Sequence, residues 1–569
     1  MSISQAELSV TTEVSSDKAW SGYIRKAVLQ FLKTAVVIDN EPGDNKADIK
    51  ESLSISPPTD NGMDIEGYLA TPPETLPEST NVLEIRKISD SFSEQGLACA
   101  FVLPEEGQDE EKVRRRVVLA SRTADILVID WHLRAGTSTL TLKLLREIAE
   151  SDLEENGRMR LICIYTGEAL DGHILAQAVE QLTVDGVDFS EAVKLGGFSY
   201  CARSQNSLLV LANKDEVSAD ALPLQLIDVF AELANGLVPA FALAAVGAIR
   251  KNTHHMLTRF SQNLDSAYIA NRLITNPPGD VAELMRELLV AECDNAIGLE
   301  SVADQFLEPE SISLWLNRFG FKEFDYDVDG DSVKCDRIAI NGLLTHGISD
   351  NGIKVSNKDK RKFPEKHRGN ISKALAAEPE NYHHAENDFS RLVAFRREAF
   401  GSSTNYIAEN WLPSLTTGTL LRLTKEGVVS YHLCFTPACD MLRLSSSRPF
   451  VFLTGRKQDK PYNLVALEEN GPVGLYFDKD YPQVSTFSFE PDAKLRRVRG
   501  QLIKEEGCPR KFVFTPVEAL GGELVWLGEV RYGRAMSEVA ALAGRWMRVG
   551  ILDSEYLRLA SKKAFPFKP

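Results

Sequence analysis

The sequence predicts an α/β protein: an open, doubly wound parallel sheet, then an α-helical bundle, then a β-rich (α+β) carboxyl-terminal domain. Three observations predict it. Between residues 34 and 214, apolar runs of strand length end on polar residues and alternate with helix-patterned stretches, which is how a parallel sheet buried on both faces reads. From Leu222 to about Arg318 the pattern is helical throughout. Beyond residue 400, apolar alternation with Gly and Pro punctuation reads as strands and turns.

The central run is ADILVIDWHL, Ala124 to Leu133, in which Ile126 to Ile129 end on Asp130. Three other runs end in a similar way. TAVVIDNEP places Asp39, Asn40 and Glu41 after Ala35 to Ile38, LICIYTGEA places Thr166 and Gly167 after Leu161 to Tyr165, and SLLVLANKDE finishes at Lys214. Ahead of the first strand, Lys18 to Leu32 has helical spacing, with Trp20, Ile24, Val28, Phe31 and Leu32 near one face. Pro42 to Pro77 is rich in Pro, Ser, Thr and acids and cannot build a core, so residues 42–80 read as a mobile surface insertion. Leu97 to Leu103 is the second strand, and Glu110 to Ser121, Thr139 to Glu150 and His173 to Leu182 are crossover helices. The enlarged α/β domain spans residues 1–220.

A carboxylate at the carboxyl end of a central parallel strand lies at the crevice where open α/β sheets bind ligands. An acidic cluster, a central Asp, a hydroxyl and a lysine together make a magnesium-dependent phosphate site. Asp39, Glu41 and Asp130 are the expected Mg²⁺ ligands, because this hard cation takes one or two carboxylates with phosphate oxygens and water. Asp130 is the expected nucleophile. Thr166 would donate to a phosphoryl oxygen while Lys214 neutralises its charge.

These residues, in FLKTAVVIDN, ADILVIDWHL and RMRLICIYTGE, resemble a response-regulator receiver domain of flavodoxin-like fold. More narrowly they resemble the bacterial response receiver proteins. That resemblance implies phosphorylation of Asp130 and a histidine-kinase-like or GHKL-type ATPase partner. It also implies other defence-complex subunits, since the family's genes are associated with suspected phage-defence clusters. The helices after residue 220 resemble the same family. The sequence departs from the pattern at one place: receivers carry two adjacent acids after the first strand, and the second is Asn40 here. Glu41 is the candidate substitute. Where the phosphoryl chemistry is absent, the resemblance implies a pseudo-receiver that docks the ATPase.

At 569 residues the chain is too long for one core. Its net charge of −17 argues against a DNA-coating surface and against anionic membranes. No CxxC pair occurs among the 8 cysteines, and the amino terminus lacks a charged-then-apolar signal, so a cytoplasmic protein is expected. The longest apolar stretch, Leu237 to Ile249, falls short of a membrane span.

After a bundle at 221–320, residues 321–400 read as a linker and helical region. Within it, DYDVDGDSVKCD opens like a calcium loop but ends on Asp336 where a bidentate Glu is required, so an acidic surface turn is expected. Ser356 to Asn370 is basic and nearly without apolar residues; it reads as a solvated loop, with nucleic acid as the weaker alternative. Residues 401–569 form the β-rich domain, closed by a helix running from Glu529 to a stop at Arg548–Gly550. There Cys439 and Asp440 follow a strand that carries His432. As a nucleophile Cys439 would need that base, which lies about 20 Å away along an extended strand; the competing reading is a structural Cys and a turn-capping Asp.

The sequence thus predicts a receiver-like signalling or adaptor protein with no conventional enzyme activity beyond its own aspartyl phosphorylation. The alternatives are a nuclease-like effector in the carboxyl-terminal half, for which no PD-(D/E)xK, HNH, P-loop or HExxH pattern is found, and a nucleic-acid-binding adaptor.

Overall fold

The structure is a computed structural model and describes residues 5–40, 83–401 and 411–546, apart from short stretches within them. Glu41, the insertion at 42–80 and the helix stop at Arg548–Gly550 lie outside the described residues. Backbone contacts divide the chain into two compact units, Met1–Phe260 with Leu289–Gly320, and Ser261–Leu288 with Phe321–Pro569.

The first unit is built on a seven-stranded sheet. Its elements in chain order are α1 (Gln5–Phe31), β1 (Thr34–Ile38), α2 (Ile85–Glu94), β2 (Ala98–Val102), α3 (Glu110–Ser121), β3 (Ile126–Ile129), α4 (Thr139–Glu154) and β4 (Arg160–Thr166). Then come α5 (Gly172–Leu182), β5 (Ser190–Ala192), β6 (Cys201–Arg203), β7 (Ser207–Asn213), α6 (Leu222–Phe230) and α7 (Leu237–Lys251). The strand order is β2-β1-β3-β4-β7-β6-β5. The first five strands pair in parallel, and β6 and β5 extend that edge as an antiparallel hairpin. Every residue of β3, β4 and β7 is buried, which explains their unbroken apolar character.

Alternate strand residues serve two cores. Val37, Val128 and Cys163 pack with α1, α2, α6 and α7 on one face. Ile38, Ile129 and Ile164 pack with α3, α4 and α5 on the other. The helix predicted from Lys18 extends back to Gln5, and Trp20, Ile24 and Val28 are buried on the sheet. Its backbone meets that of α7: a Cβ on Gly247 would lie 2.4 Å from the Gln30 carbonyl oxygen.

In the second unit the β-rich part is a ten-stranded sheet, antiparallel in every pairing. The hairpin Thr419–Lys425/Val428–Cys434 lies at its centre, between Gly522–Val530 and Arg448–Lys457. Glu426 and Gly427 turn it with φ of 51° and 78°, the two positive values that a two-residue hairpin turn of matching twist demands. The closing helix begins at Tyr532, because Glu529 and Val530 finish a strand. DYDVDGDSVKCD is a β-hairpin: Asp325 pairs with Lys334 and Asp327 with Ser332. Asp336 caps the next helix through the Ala339 N–H, which leaves no calcium-loop geometry. The basic segment also departs from expectation. Lys358–Arg361 pairs with Ile353–Val355, and Phe363 is buried against Tyr326, an anchor that a solvated loop lacks.

Arg160, the first residue of β4, is fully buried and paired with Asp152 of α4 at 2.5 Å. Two of its guanidinium nitrogens, Nε and Nη1, find no hydrogen-bond partner among the described residues. Burial pushes the Asp152 carboxyl up to about 6, only partly opposed by Arg160. A carboxyl raised in the folded state stabilises below its unfolded pKa and loses that contribution as pH rises through the folded one. The stability of the protein relative to Asp152→Asn is therefore expected to fall by about 2–3 kcal/mol between pH 4 and 6, read from urea unfolding across that range. A flat difference would show that Arg160 fully compensates the burial. Gly247→Ala is expected to cost about 1–3 kcal/mol in the same assay, despite its better helix propensity, since the opposing atom is backbone; an unchanged midpoint would mean that α1 and α7 separate freely.

Candidate functional site

Reversal of strand order between β1 and β3 opens a crevice at their carboxyl ends, because α2, which follows β1, and α4, which follows β3, lie on opposite faces. The register pairs Ile38 with Ile129, so the next residues, Asp39 and Asp130, come out side by side. The Asp130 N–H donates to the Ile38 carbonyl at 2.9 Å. Both carboxylates are buried, with 2% and 8% of each residue exposed.

Lys214 completes the group from the end of β7. Its Nζ lies 2.8 Å from Asp39 Oδ2 and 3.3 Å from Asp130 Oδ1, and 5.8 Å from the centre of the Tyr165 ring. One ammonium between two buried carboxylates relieves their repulsion. Thr166 ends β4, between β3 and β7, and its carbonyl accepts from the Lys214 N–H at 2.8 Å. The Thr166 hydroxyl accepts from the Glu168 N–H at 3.1 Å and retains its own proton for another acceptor. Asp130, Thr166, Lys214 and Asp39 are therefore brought to one edge of the sheet by four strands that are distant in sequence.

Asn40 follows Asp39 directly, and its Oδ1 is buried without a hydrogen-bond partner among the described residues. A buried amide oxygen left unsatisfied costs about 1–3 kcal/mol. Asp39, Asp130 and this oxygen are hard donors of the kind that hold Mg²⁺, so the residues present fit that ion.

Several supporting residues are not apparent in the sequence. The Thr141 hydroxyl donates to the Asp130 carbonyl at 2.9 Å and fixes the start of α4 beneath the site. Asp130 Oδ2 accepts from the His132 N–H at 3.1 Å, and His132 faces Glu168 at 3.5 Å at the rim. Asn213 donates to the Glu168 carbonyl and accepts from the Asp215 N–H, tying the loop after β4 to the end of β7. The Tyr165 hydroxyl donates to the Val217 carbonyl, and burial raises its pKa well above the ordinary phenol range. All but Thr141, which lies in the first turn of α4, stand at or beside an anticipated strand end, but only the tertiary pairing gives each its partner.

Cys439 and Asp440 lie in the second unit, exposed on the single turn Ala438–Met441. His432 is engaged elsewhere: its two ring nitrogens meet the Ser430 and Ser485 hydroxyls, each at 2.9 Å. Burial lowers its pKa to about 4. The described geometry thus gives Cys439 no base at His432. Among the described residues no cluster of three or more His, Cys, Asp or Glu could hold a metal, and no single helix is long and apolar enough to cross a membrane.

Residues 31–219 match the family model of the response receiver domain. The match contains all of β1 to β7 and the whole crevice. No curated protein and no solved structure matches the chain.

Removing Lys214 leaves two buried carboxylates facing each other, whereas removing Asp130 leaves one ion pair. Lys214→Met is therefore expected to lose about 3–5 kcal/mol and Asp130→Asn much less, measured by urea titration at neutral pH. Equal losses would show that the ammonium does not hold the crevice together.

Proposed function

We propose that the chain is a receiver-type signalling protein that accepts a phosphoryl group on Asp130. The observation that carries this reading is the single Lys214 contact to both Asp39 and Asp130 at the strand-order reversal, inside the segment that matches the receiver family. An Asp130 carboxylate oxygen attacks the phosphorus of a phosphohistidine or small acyl phosphate. The bond from phosphorus to the donor breaks, and the leaving group departs with its electron pair. The product is an acyl phosphate on Asp130. Thr166 turns its hydroxyl proton to a phosphoryl oxygen, and Lys214 offsets part of the roughly two added charges. Asp39, Asn40 and Asp130 would hold Mg²⁺, with Glu41 a further candidate. Bound there, the ion would neutralise charge on the incoming phosphoryl group.

The donor that fits this chemistry is a histidine-kinase-like or GHKL-type ATPase. The acquired charge would shift Thr166 and the loop held by Asn213, and so bias the second unit as output. An antiphage role, with further defence-complex subunits, belongs to the same proposal and rests on resemblance alone. A second reading is favoured by Asn40, which stands where receivers carry an acid: the crevice would then dock the ATPase without chemistry.

Intact mass separates the two. The full chain is incubated with Mg²⁺ and acetyl phosphate, and separately with a GHKL-type ATPase and ATP. A gain of one phosphoryl group, absent in Asp130→Ala and prevented by chelation, is the expected result. No gain from either donor would overturn phosphorylation and leave the docking reading.

A further inference from the structure

A second site lies at the opposite end of the parallel sheet. A cavity of about 830 Å³ opens between α1 and α7, within the range of pockets that enclose small ligands. Five cations line it, Arg25, Lys26, Lys33, Arg250 and Lys251, against one acid, Glu300. In a chain of net charge −17 this is a local reversal of sign.

Three of the cations have carboxylate partners. Arg25 pairs with Asp228, Lys251 with Glu300 at 2.9 Å, and Arg250 with Asp125 at 3.3 Å. Lys26 and Lys33 have no ion pair among the described residues. The Lys26 ammonium stands 5.7 Å from the Phe306 ring centre, and the Lys33 ammonium donates to the Leu29 carbonyl at 3.1 Å, while its backbone N–H donates to Asp125 Oδ2 at 2.8 Å. Burial, then the neighbouring Arg250 charge, lowers the Lys33 pKa, partly opposed by the Asp125 carboxylate.

The walls between the cations are small or apolar: Gly22, Leu29, Gly247 and Ala248. Gly247 is required by the contact of α1 with α7. Gly22 is not, since a Cβ there would meet nothing within 4 Å. A glycine inside a helix costs about 1 kcal/mol relative to alanine, and here it keeps side-chain bulk out of the cavity lining.

We propose that this cavity binds a nucleotide-sized organic phosphate, its phosphates on Lys26 and Lys33 and its body against Leu29 and Ala248. Two unpaired ammonium groups beside three paired cations suit a multiply charged anion, and phosphate supplies up to two charges per group. The site is separate from the crevice. Arg250 binds Asp125, immediately before β3, whereas Asp130 follows that strand's other end, about 17 Å away for an extended chain.

Isothermal titration of the full chain, in chelator to silence the crevice, tests the assignment with ATP, inorganic pyrophosphate and adenosine. ATP and pyrophosphate are expected to bind saturably, and adenosine more weakly than ATP. Lys26→Ala with Lys33→Ala should weaken ATP binding about tenfold or more. Gly22→Leu, which favours the helix but adds bulk to the lining, should weaken it too, with the thermal midpoint kept. Asp130→Ala should leave it unchanged. Absence of saturable binding by both phosphates, adenosine binding equal to that of ATP, or unchanged ATP affinity in the two groove variants would each overturn the proposal.

Discussion

The crevice depends on one ammonium held between two carboxylates. Asp39 and Asp130 are delivered side by side by the register of β1 and β3, and burial would make them repel strongly. Lys214 reaches them from the end of β7, with β4 between its own strand and β3. Its backbone N–H is fixed at the same time by Thr166. One residue thus ties together the ends of four strands by charge and by hydrogen bond. Donors that are already oriented cost no reorganisation when new negative charge arrives.

The parallel half was legible because its strands are buried on both faces. Ile126–Ile129 and Leu161–Tyr165 must be apolar throughout, so their polar end residues stand out. Asp130, Thr166 and Lys214 could be named on that basis, and the structure brings them together. Other parts were not legible, for reasons of length and range. The helix Ile85–Glu94 is short and follows a segment without pattern, and the edge strands Ser190–Ala192 and Cys201–Arg203 are too short to show alternation. Thr141, Asn213 and Asp125 are ordinary polar residues until a distant backbone group supplies their partner.

Composition read without pairing missed two hairpins. In the calcium-like stretch the acids alternate with Tyr326 and Val328, and that period of two belongs to a strand whose apolar residues turn inward. In the basic segment a single Phe363 outweighs the surrounding charge, because its burial against Tyr326 anchors the chain locally. One apolar anchor is easily overlooked in a window dominated by lysines.

The helix α1 sets a limit on how this receiver can be cut out as a part. The family-matched segment begins at residue 31, the last residue of that helix, yet Trp20, Ile24 and Val28 pack on one face of the sheet beside α2, with α6 and α7 beyond the other boundary. The unit recognisable by descent is therefore shorter than the unit that folds. A fragment of this chain made at the recognisable boundaries would cut through a hydrophobic core and expose the face that the flanking helices cover.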